Sequence, residues 1–365
     1  MQPSNIFKNF LPSYHTKRTQ EIFRVNPTAL PAREEAQNIK VGVYDYDTHS
    51  AEHHEFETVH ACNRFKDNGK ITWINIDGLR KADVETICNS FHIHPLLIED
   101  ILSVGQRPKM DELDNVLFCL LNMLYFNENG ACIEQEQVSL ILGRDYVLSF
   151  QEEPGKDVFN PVRDKINMAG SKLRTSGADY LCYSLIDIIV DSYYNVLEKL
   201  GEYIETLEEE IIRVGDARSL GSINTLRKEL IVLKRNINPV RDIVNGFMRA
   251  DSELLNEKIT RYFKDVYDHI VQANDLVENY RDMMMSLQDL YINKVNLRMN
   301  EVMKVMAIVT CLLAPATVIG GIFGMNFPSI PGLHTQYGFW AAVALMLLIP
   351  MWMIYMFKRK GWFKS

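Results

Sequence analysis

The spacing of apolar residues divides the chain into a strand-rich first half and a helical second half. After a polar leader of residues 1–38, short runs rich in β-branched and aromatic residues alternate with helical stretches such as residues 82–91. Strands are predicted at residues 41–44, 71–76, 116–126, 137–142 and 146–150. Turn residues at 127–130 and 143–145 predict that the last three strands form an antiparallel meander. We therefore expect a mixed α/β domain over residues 39–176.

From residue 177 the apolar positions have a helical period. Amphipathic helices are predicted at residues 179–214 and 217–236, and Pro239 is expected to separate the second helix from the next one. Because residues 240–314 contain no proline, a last helix is predicted from near Ser252 to Phe323, about 72 residues. Its apolar residues recur at steps of three and four, which predicts packing against helices of the same chain and of other copies. Residues 177–304 are thus expected to form a stalk of long helices.

Two segments near the C-terminus, residues 305–323 and 339–357, contain no Asp, Glu, Lys or Arg. Each has about 19 residues, the length of an α-helix that crosses a hydrocarbon core of about 30 Å. Both are predicted to span a membrane. Two helices cannot enclose a water-filled path, so a transport function would need several copies of the chain around one axis.

Charged residues around these segments predict their orientation. Lys304 precedes the first span and a basic tail of residues 358–365 comes after the second, whereas the loop of residues 324–338 has no Asp, Glu, Lys or Arg. By the positive-inside rule, both termini are expected in the cytoplasm, and the protein is expected in the inner or plasma membrane. The first 30 residues hold no apolar run typical of a cleaved signal peptide.

Composition argues against two other functions. The formal net charge is −8, and without the four basic residues after the second span it is −12, which is unfavourable for binding nucleic acid. The six cysteines are scattered, as is typical of reduced thiols. We expect no enzyme, because the sequence lacks a phosphate-binding glycine loop and a nucleophile elbow, and because His92 and His94 lack a third metal ligand in a matching strand.

One face of the first span is lined with small, polar or flexible side chains at alternating steps of three and four: Asn300, Met303, Ala307, Thr310, Ala314, Thr317, Gly321 and Gly324. Such a face points either to a water-filled lumen or to a close-packed interface between helices. The turn Gly324-Met325-Asn326 favours the lumen, because Gly324 lets the backbone leave the helix and Asn326 then carries an amide oxygen at the outer mouth. A ring of such oxygens suits magnesium, which dehydrates reluctantly.

Several motifs, taken in order, resemble those of the CorA family of magnesium and cobalt transport proteins, over about residues 40–365. They are HPLLIEDIL at 94–102, QRPK at 106–109, QVSLIL at 137–142, NEVMKV at 300–305 and GMN at 324–326. The resemblance implies a homopentameric funnel with an α/β cytoplasmic N-terminal domain, long stalk helices and two C-terminal transmembrane helices, the first of which lines the pore. It places pore constrictions at Asn300, Met303, Met306, Ala314, Thr317 and Asn326. Thr310, Gly324 and Met325 complete the candidate pore and selectivity residues.

The resemblance also implies gating by magnesium bound between cytoplasmic subunits. The matching residues are Glu99 and Asp100 in the α/β domain, Asp187 on the first long helix, and Asp265 and His269 on the last helix. Asp265 and His269 are four residues apart and share a helix face. A divalent cation would offset repulsion between carboxylates of adjacent subunits, and its loss would shift the ring toward open states. Each acid taken alone is more typical of a solvated or salt-bridged carboxylate.

Two positions depart from the family pattern. Ala314 stands where many members have Met, and Gly332 stands where many have Glu in the outer loop, which weakens the recruitment of cations outside the membrane. The loop is also similar to that of the zinc-transporting ZntB branch, although that branch usually has Gly-Ile-Asn in place of Gly-Met-Asn. The expected function is passive, gated influx of hydrated Mg²⁺, with Co²⁺ or Ni²⁺ as further transported ions. The alternatives are proton-coupled zinc transport of the ZntB kind and, less favoured, a membrane-tethered sensor or scaffold.

Overall fold

The computed structural model describes residues 35–128, 131–153, 157–325, 330–332, 335 and 337–362. The chain divides into two compact units, Met1–Gln288 and Asp289–Ser365. The first unit contains the sheet and most of the helices, and the second contains both predicted spans.

The first unit is built on a seven-stranded sheet with the order β2-β1-β3-β7-β6-β5-β4. The central strands β3 and β7 are parallel, and the other neighbouring pairs are antiparallel. The strands are β1 Lys40–Tyr46, β2 Ala51–Phe56, β3 Ile71–Asp77, β4 Lys109–Leu113, β5 Val116–Asn127, β6 Cys132–Leu142 and β7 Tyr146–Gln151. The predicted strands and the antiparallel meander of β5, β6 and β7 are confirmed. The turn predicted at residues 127–130 lies partly outside the described residues.

The strands β2 and β4 were not predicted. Their sequences, AEHHEF and KMDEL, are rich in charged and polar residues and show no apolar alternation. Both lie at the edges of the sheet, where one side of the strand has no neighbour in the sheet. Charged side chains are common there because they prevent pairing with other chains. Apolar spacing is therefore a poor guide to these two strands.

Helices cover both faces of the sheet. On one face, a 3₁₀ helix Val59–Phe65, α1 Lys81–Ser90 and α2 Pro95–Leu102 enclose a core with residues such as Ile74, Phe118 and Phe150. Trp73 lies on the opposite face and contacts Phe159, which directly precedes α3 Asn160–Asn167. The short α4 Lys172–Thr175 leads to the long helices α5 Ala178–Arg213 and α6 Ala217–Arg249, which pack against the strands of the meander.

The prediction that Pro239 separates two helices is wrong. Helix α6 continues through Pro239 to Arg249. The proline removes one backbone hydrogen bond, but Ile237, Val240 and Val244 around it are fully buried. The packing of this apolar face outweighs the lost hydrogen bond.

The last long helix, α7, is Thr260–Phe323 with 64 residues, so its predicted start near Ser252 is also wrong. A 3₁₀ helix, Glu257–Ile259, precedes it, and the side chain of Asn256 accepts a hydrogen bond from the backbone N–H of Lys258. Asn competes for backbone groups in this way and favours helix caps over helix interiors. Helix α7 continues through Pro315, and α8 is Gly338–Arg359. The apolar part of α7 and the whole of α8 are long and apolar enough to cross a membrane.

Candidate functional site

Two helices of the first unit bring three potential metal ligands together. Asp187 and Asp191 lie one turn apart on α5, and His269 lies on α7; one ligand atom of each lies within 4.8 Å of those of the other two. The His269 Nδ1 atom is 3.4 Å from Oδ1 of Asp191. We call these three residues the Asp–Asp–His cluster.

Tyrosine side chains hold this cluster in place. The hydroxyl of Tyr183, one turn before Asp187 on α5, donates to Oδ2 of Asp187 at 3.2 Å. The Tyr183 ring packs edge-on against Phe263 of α7, with 5.8 Å between ring centroids. The hydroxyl of Tyr194 donates to the backbone carbonyl of His269 at 2.7 Å. These contacts fix α5 and α7 against each other beside the cluster.

The charges of the Asp–Asp–His cluster are compatible with a bound cation. Burial, followed by the charge of Asp191, raises the pKa of Asp187, while the hydrogen bond from Tyr183 and the nearby His269 lower it. The Nδ1 atom of His269 is buried and has no hydrogen-bond partner, although it lies 3.4 Å from Oδ1 of Asp191. Carboxylate oxygens are the ligands that Mg²⁺ prefers, and carboxylates together with an imidazole nitrogen suit Co²⁺, Ni²⁺ and Zn²⁺. The donor set therefore fits a divalent metal ion.

The other predicted regulatory residues lie outside this cluster. Glu99 is exposed on α2, and Asp100 next to it forms an ion pair with Lys109 at 2.6 Å and accepts from Gln106 at 3.0 Å. Asp265 is exposed on α7, one turn before His269. The predicted role of these three residues is in a metal site shared with a neighbouring subunit. Asp191 was missed, although its spacing of four residues from Asp187 matches that of Asp265 and His269 and could have indicated it.

His94, one of the two histidines considered as a metal pair, has a structural role at the start of α2. His92 is exposed, and Nδ1 of His94 accepts a hydrogen bond from the backbone N–H of Leu96 at the start of α2. His94 therefore acts as a helix cap.

In the second unit, the predicted pore residues share an exposed face of α7. Met303 and Met306 are each 62% exposed, and Asn300, Thr310, Ala314, Thr317, Gly324 and Met325 are exposed as well. The hydroxyls of Thr310 and Thr317 donate to the backbone carbonyls of Met306 and Leu313, at 2.8 and 3.0 Å. Because these bonds use the hydroxyl protons, the oxygens keep lone pairs that can accept hydrogen bonds.

The opposite side of α7 packs on α8. Ile308 is only 7% exposed, and Ile319 of α7 lines an apolar pocket together with Ala341 and Leu345 of α8. Helical spacing points Thr310 and Thr317 nearly opposite to Ile308 and Ile319. The small, polar and flexible residues of this face, from Asn300 to Gly324, which we call the polar stripe, are therefore part of the surface of α7 that α8 leaves uncovered. Apolar residues such as Leu313 and Val318, 60% and 59% exposed, belong to the same uncovered surface.

The described part of the chain reaches the first two residues of the Gly-Met-Asn turn. The N–H of Gly324 donates to the carbonyl of Gly320 at 3.0 Å, and that of Met325 to Ile322 at 3.3 Å, so the chain leaves the helix here. Asn326, the predicted selectivity residue, lies outside the described residues.

Comparison with known proteins identifies the family. The model of the family described as CorA-like Mg²⁺ transporter protein matches residues 68–359. The chain is 40% identical to the cobalt/magnesium transport protein CorA of Thermotoga maritima, over 89% of this chain and 93% of that protein. This chain belongs to the CorA family.

Solved structures with the CorA fold agree with this assignment. The complete CorA magnesium transporter of Methanocaldococcus jannaschii matches 88% of this chain and 98% of its own, with a TM-score of 0.72 and 22% identity. The full-length CmaX protein matches 90% of this chain and 99% of its own, with a TM-score of 0.66 and 18% identity. At these identities the likeness establishes the fold alone. The resemblance found in the motifs is confirmed, and the CorA family is a family of membrane-embedded transporters of divalent cations and not an enzyme class.

Proposed function

We propose that this CorA-family protein carries hydrated Mg²⁺ into the cell, with Co²⁺ or Ni²⁺ as further substrates. Membership of the family supports divalent-cation transport, and the name of the Thermotoga relative points to magnesium and cobalt. The observation that carries the proposal is the polar stripe on α7, which lies opposite the side covered by α8. A membrane anchor has no need for an uncovered polar face in a span.

Several copies of the chain, five by the family resemblance, would place these stripes around one axis. Lone pairs on Thr310 and Thr317 would then accept hydrogen bonds from the water shell of the ion, and Asn300 would add an amide. Magnesium gives up its inner waters reluctantly, so recognition through water suits it. Met303 and Met306 would close the path by excluding water, and Asn326 would select the ion at the outer mouth.

Magnesium on the cytoplasmic side is proposed to regulate the path. The Asp–Asp–His cluster and Asp265 would hold the ion on one subunit, and Glu99 and Asp100 would approach it from the next. The bound ion would supply positive charge between carboxylates that otherwise repel one another. With the ion bound the ring of subunits would stay closed, and without it the population would shift toward open states.

The proposed arrangement in the membrane rests on the charges. Residues 39–176 and 177–304 would lie in the cytoplasm of the cell as the α/β and stalk domains, and residues 305–323 and 339–357 would span its inner or plasma membrane. The loop of residues 324–338 would face outward and the basic tail of residues 358–365 inward.

The variant Asn326→Ala tests the selectivity role. We expect it to lose most of its ability to restore growth of a magnesium-auxotrophic host, at equal membrane expression. Ser329→Ala, in the same loop, is the matched control and should restore growth. Full rescue by Asn326→Ala would refute the selectivity role of this residue. Uptake of Zn²⁺ in place of Mg²⁺ by the unmodified protein would favour the ZntB-like alternative.

A further inference from the structure

The carboxylate of Asp100 is held by two side chains of its own domain. Asp100 lies in the last turn of α2, and Lys109 is the first residue of the edge strand β4. The Nζ atom of Lys109 donates to Oδ2 of Asp100 at 2.6 Å, and Nε2 of Gln106 donates to Oδ1 at 3.0 Å. Both carboxylate oxygens of Asp100 therefore already accept a hydrogen bond within one chain.

The ammonium group of Lys109 lies between two acids. Asp111 follows Lys109 by two residues on β4, so the two side chains share a face of the strand. The Nζ atom of Lys109 is 3.3 Å from Oδ2 of Asp111. The side chain of Asp100 is 17% exposed and that of Lys109 is 36% exposed. Because the lysine stem is flexible and part-exposed, a change of its rotamer can move the ammonium from Asp100 toward Asp111.

The backbone around Asp100 is fixed to the sheet independently of Lys109. Nε2 of Gln137 on β6 donates to the backbone carbonyls of Asp100 and Ile101 at 3.4 and 3.3 Å. Ile101 is fully buried in the core of the domain. A change in the contact with Lys109 therefore alters the charge beside Asp100 and not the position of Asp100 in the domain.

A divalent ion on Asp100 and the ammonium of Lys109 are mutually unfavourable. Mg²⁺ binds carboxylate oxygens at about 2.1 Å, so an ion on Oδ2 of Asp100 would lie within about 5 Å of Nζ of Lys109 as it stands. Like charges at this separation repel each other, and the part-buried position of Asp100 limits the screening by solvent. The ion and Lys109 are therefore competitors for one carboxylate.

We propose that Lys109 is an internal competitor of the regulatory Mg²⁺. Its ammonium neutralises Asp100 when the ion is absent and is displaced toward Asp111 when the ion binds. The displacement opposes binding, so the contact raises the Mg²⁺ concentration at which the ring of subunits closes. This inference rests on the proposed regulation by cytoplasmic Mg²⁺ and adds the residue that sets its threshold.

The Mg²⁺ concentration that gives half-maximal protection from protease tests the competition on full-length protein in detergent. Lys109→Met removes the ammonium but keeps most of the side-chain length. We expect half-maximal protection of this variant at about fivefold lower Mg²⁺, since an ion pair of this exposure contributes up to about that factor in an equilibrium constant. Lys109→Arg keeps the positive charge and should not lower this concentration.

Lys81→Met is the control for net charge. It removes an exposed lysine of the same domain, which lies 3.8 Å from Glu85 on α1, and it should respond to Mg²⁺ like the unmodified protein. The same decrease in Lys81→Met as in Lys109→Met would overturn the proposal. An unchanged concentration for Lys109→Met, with Mg²⁺ still protective, would overturn the competition and leave the proposed regulation standing. Absence of protection by Mg²⁺ in the unmodified protein would overturn both.

Crystals of the unmodified full-length protein grown with saturating Mn²⁺ provide a test that does not depend on the folding of a variant. We expect an ion beside Asp100, with Nζ of Lys109 more than about 4 Å from both oxygens of Asp100 and in contact with Asp111. Retention of the 2.6 Å contact between Lys109 and Asp100, with or without an ion beside it, would overturn the proposal.

Discussion

The Nδ1 atom of His269 lies 3.4 Å from Oδ1 of Asp191, so a potential metal ligand of α7 meets one of α5. Helix α7 also carries the polar stripe in its C-terminal part. A metal ion at this contact would bind residues on two different helices, one of which extends into the first span. The contact between Asp191 and His269 is therefore where we expect regulatory Mg²⁺ to bind.

Replacing Asp191 with Asn should weaken the response to magnesium. The change keeps the size of the side chain but removes a charge that faces His269 and Asp187. We expect the Mg²⁺ concentration that protects the protein from protease to rise about tenfold, because losing one charged ligand costs about 1.4 kcal/mol or more. Limited proteolysis across a Mg²⁺ titration measures this. Glu208→Gln, which alters an exposed acid on α5, is the control and should behave like the unmodified protein. If this control showed the same tenfold shift, the loss of net negative charge, and not the loss of a metal ligand, would explain the effect.

Replacing Glu136 with Gln should change how stability depends on pH. An acid whose pKa is raised by folding, here from 4.5 to about 7, binds its proton more tightly in the folded chain. Protonation of Glu136 therefore contributes its full stabilisation to the folded chain below about pH 4, and this stabilisation is lost as the pH rises through 7. In EDTA, the free energy of unfolding of Glu136→Gln, relative to the unmodified protein, should therefore rise between pH 5 and 8, by at most about 3 kcal/mol.

Thermal unfolding across this pH range provides the measurement, with the midpoint shift as the readout. Glu134→Gln is the matched control, since Glu134 is exposed on the same strand. A constant difference between Glu136→Gln and the unmodified protein at every pH would contradict the assignment of the buried proton to Glu136.

Replacing Thr317 with Val should reduce the rate of Mg²⁺ influx. Valine has the shape of threonine but no oxygen, so each copy would lose one acceptor for the water shell of the ion. We expect Mg²⁺ influx to fall about fivefold or more, because a hydrogen bond contributes about 1 kcal/mol. Thr317→Ser keeps the hydroxyl and should retain influx. Equal influx through Thr317→Val and the unmodified protein, at equal expression, would argue for a close-packed interface at this face.

Replacing Asn236 with Ala should destabilise the packing of α6 on the sheet. Asn236 is 3% exposed; it accepts from Nδ2 of Asn122 at 2.6 Å and donates to Gln135 at 2.9 Å. The change leaves the buried Asn122 donor without a partner, which costs about 2 kcal/mol. Chemical denaturation should show this loss, whereas Asn224→Ala, a partly exposed residue of α6, should lower stability by much less. Similar losses in the two variants would show that the Asn122 bond is not the cause.

Much of the fold could be predicted from the sequence because apolar spacing reports burial directly. The five strands with apolar side chains, the long helix α5 and both spans were predictable on this basis. The edge strands β2 and β4 could not be predicted, since their polar residues carry no such pattern. Pro239 misled the prediction because a local rule about proline takes no account of the packing around Ile237 and Val240.

The candidate sites depend more strongly on tertiary contacts. The polar stripe could be predicted because all its residues lie on one helix. The contact of Asp191 with His269 joins residues 78 positions apart on two different helices. Spacing along the chain does not predict this contact.

Ion flux into liposomes containing the purified full-length protein is a direct test of passive Mg²⁺ influx by this protein. A negative inside potential would be imposed with and without a pH gradient, and entry of Mg²⁺ and Zn²⁺ would be followed with dyes trapped inside. We predict that Mg²⁺ enters down the potential without a pH gradient. Failure of Mg²⁺ to enter, together with Zn²⁺ entry only when a pH gradient is present, would contradict passive Mg²⁺ influx and favour proton-coupled zinc transport.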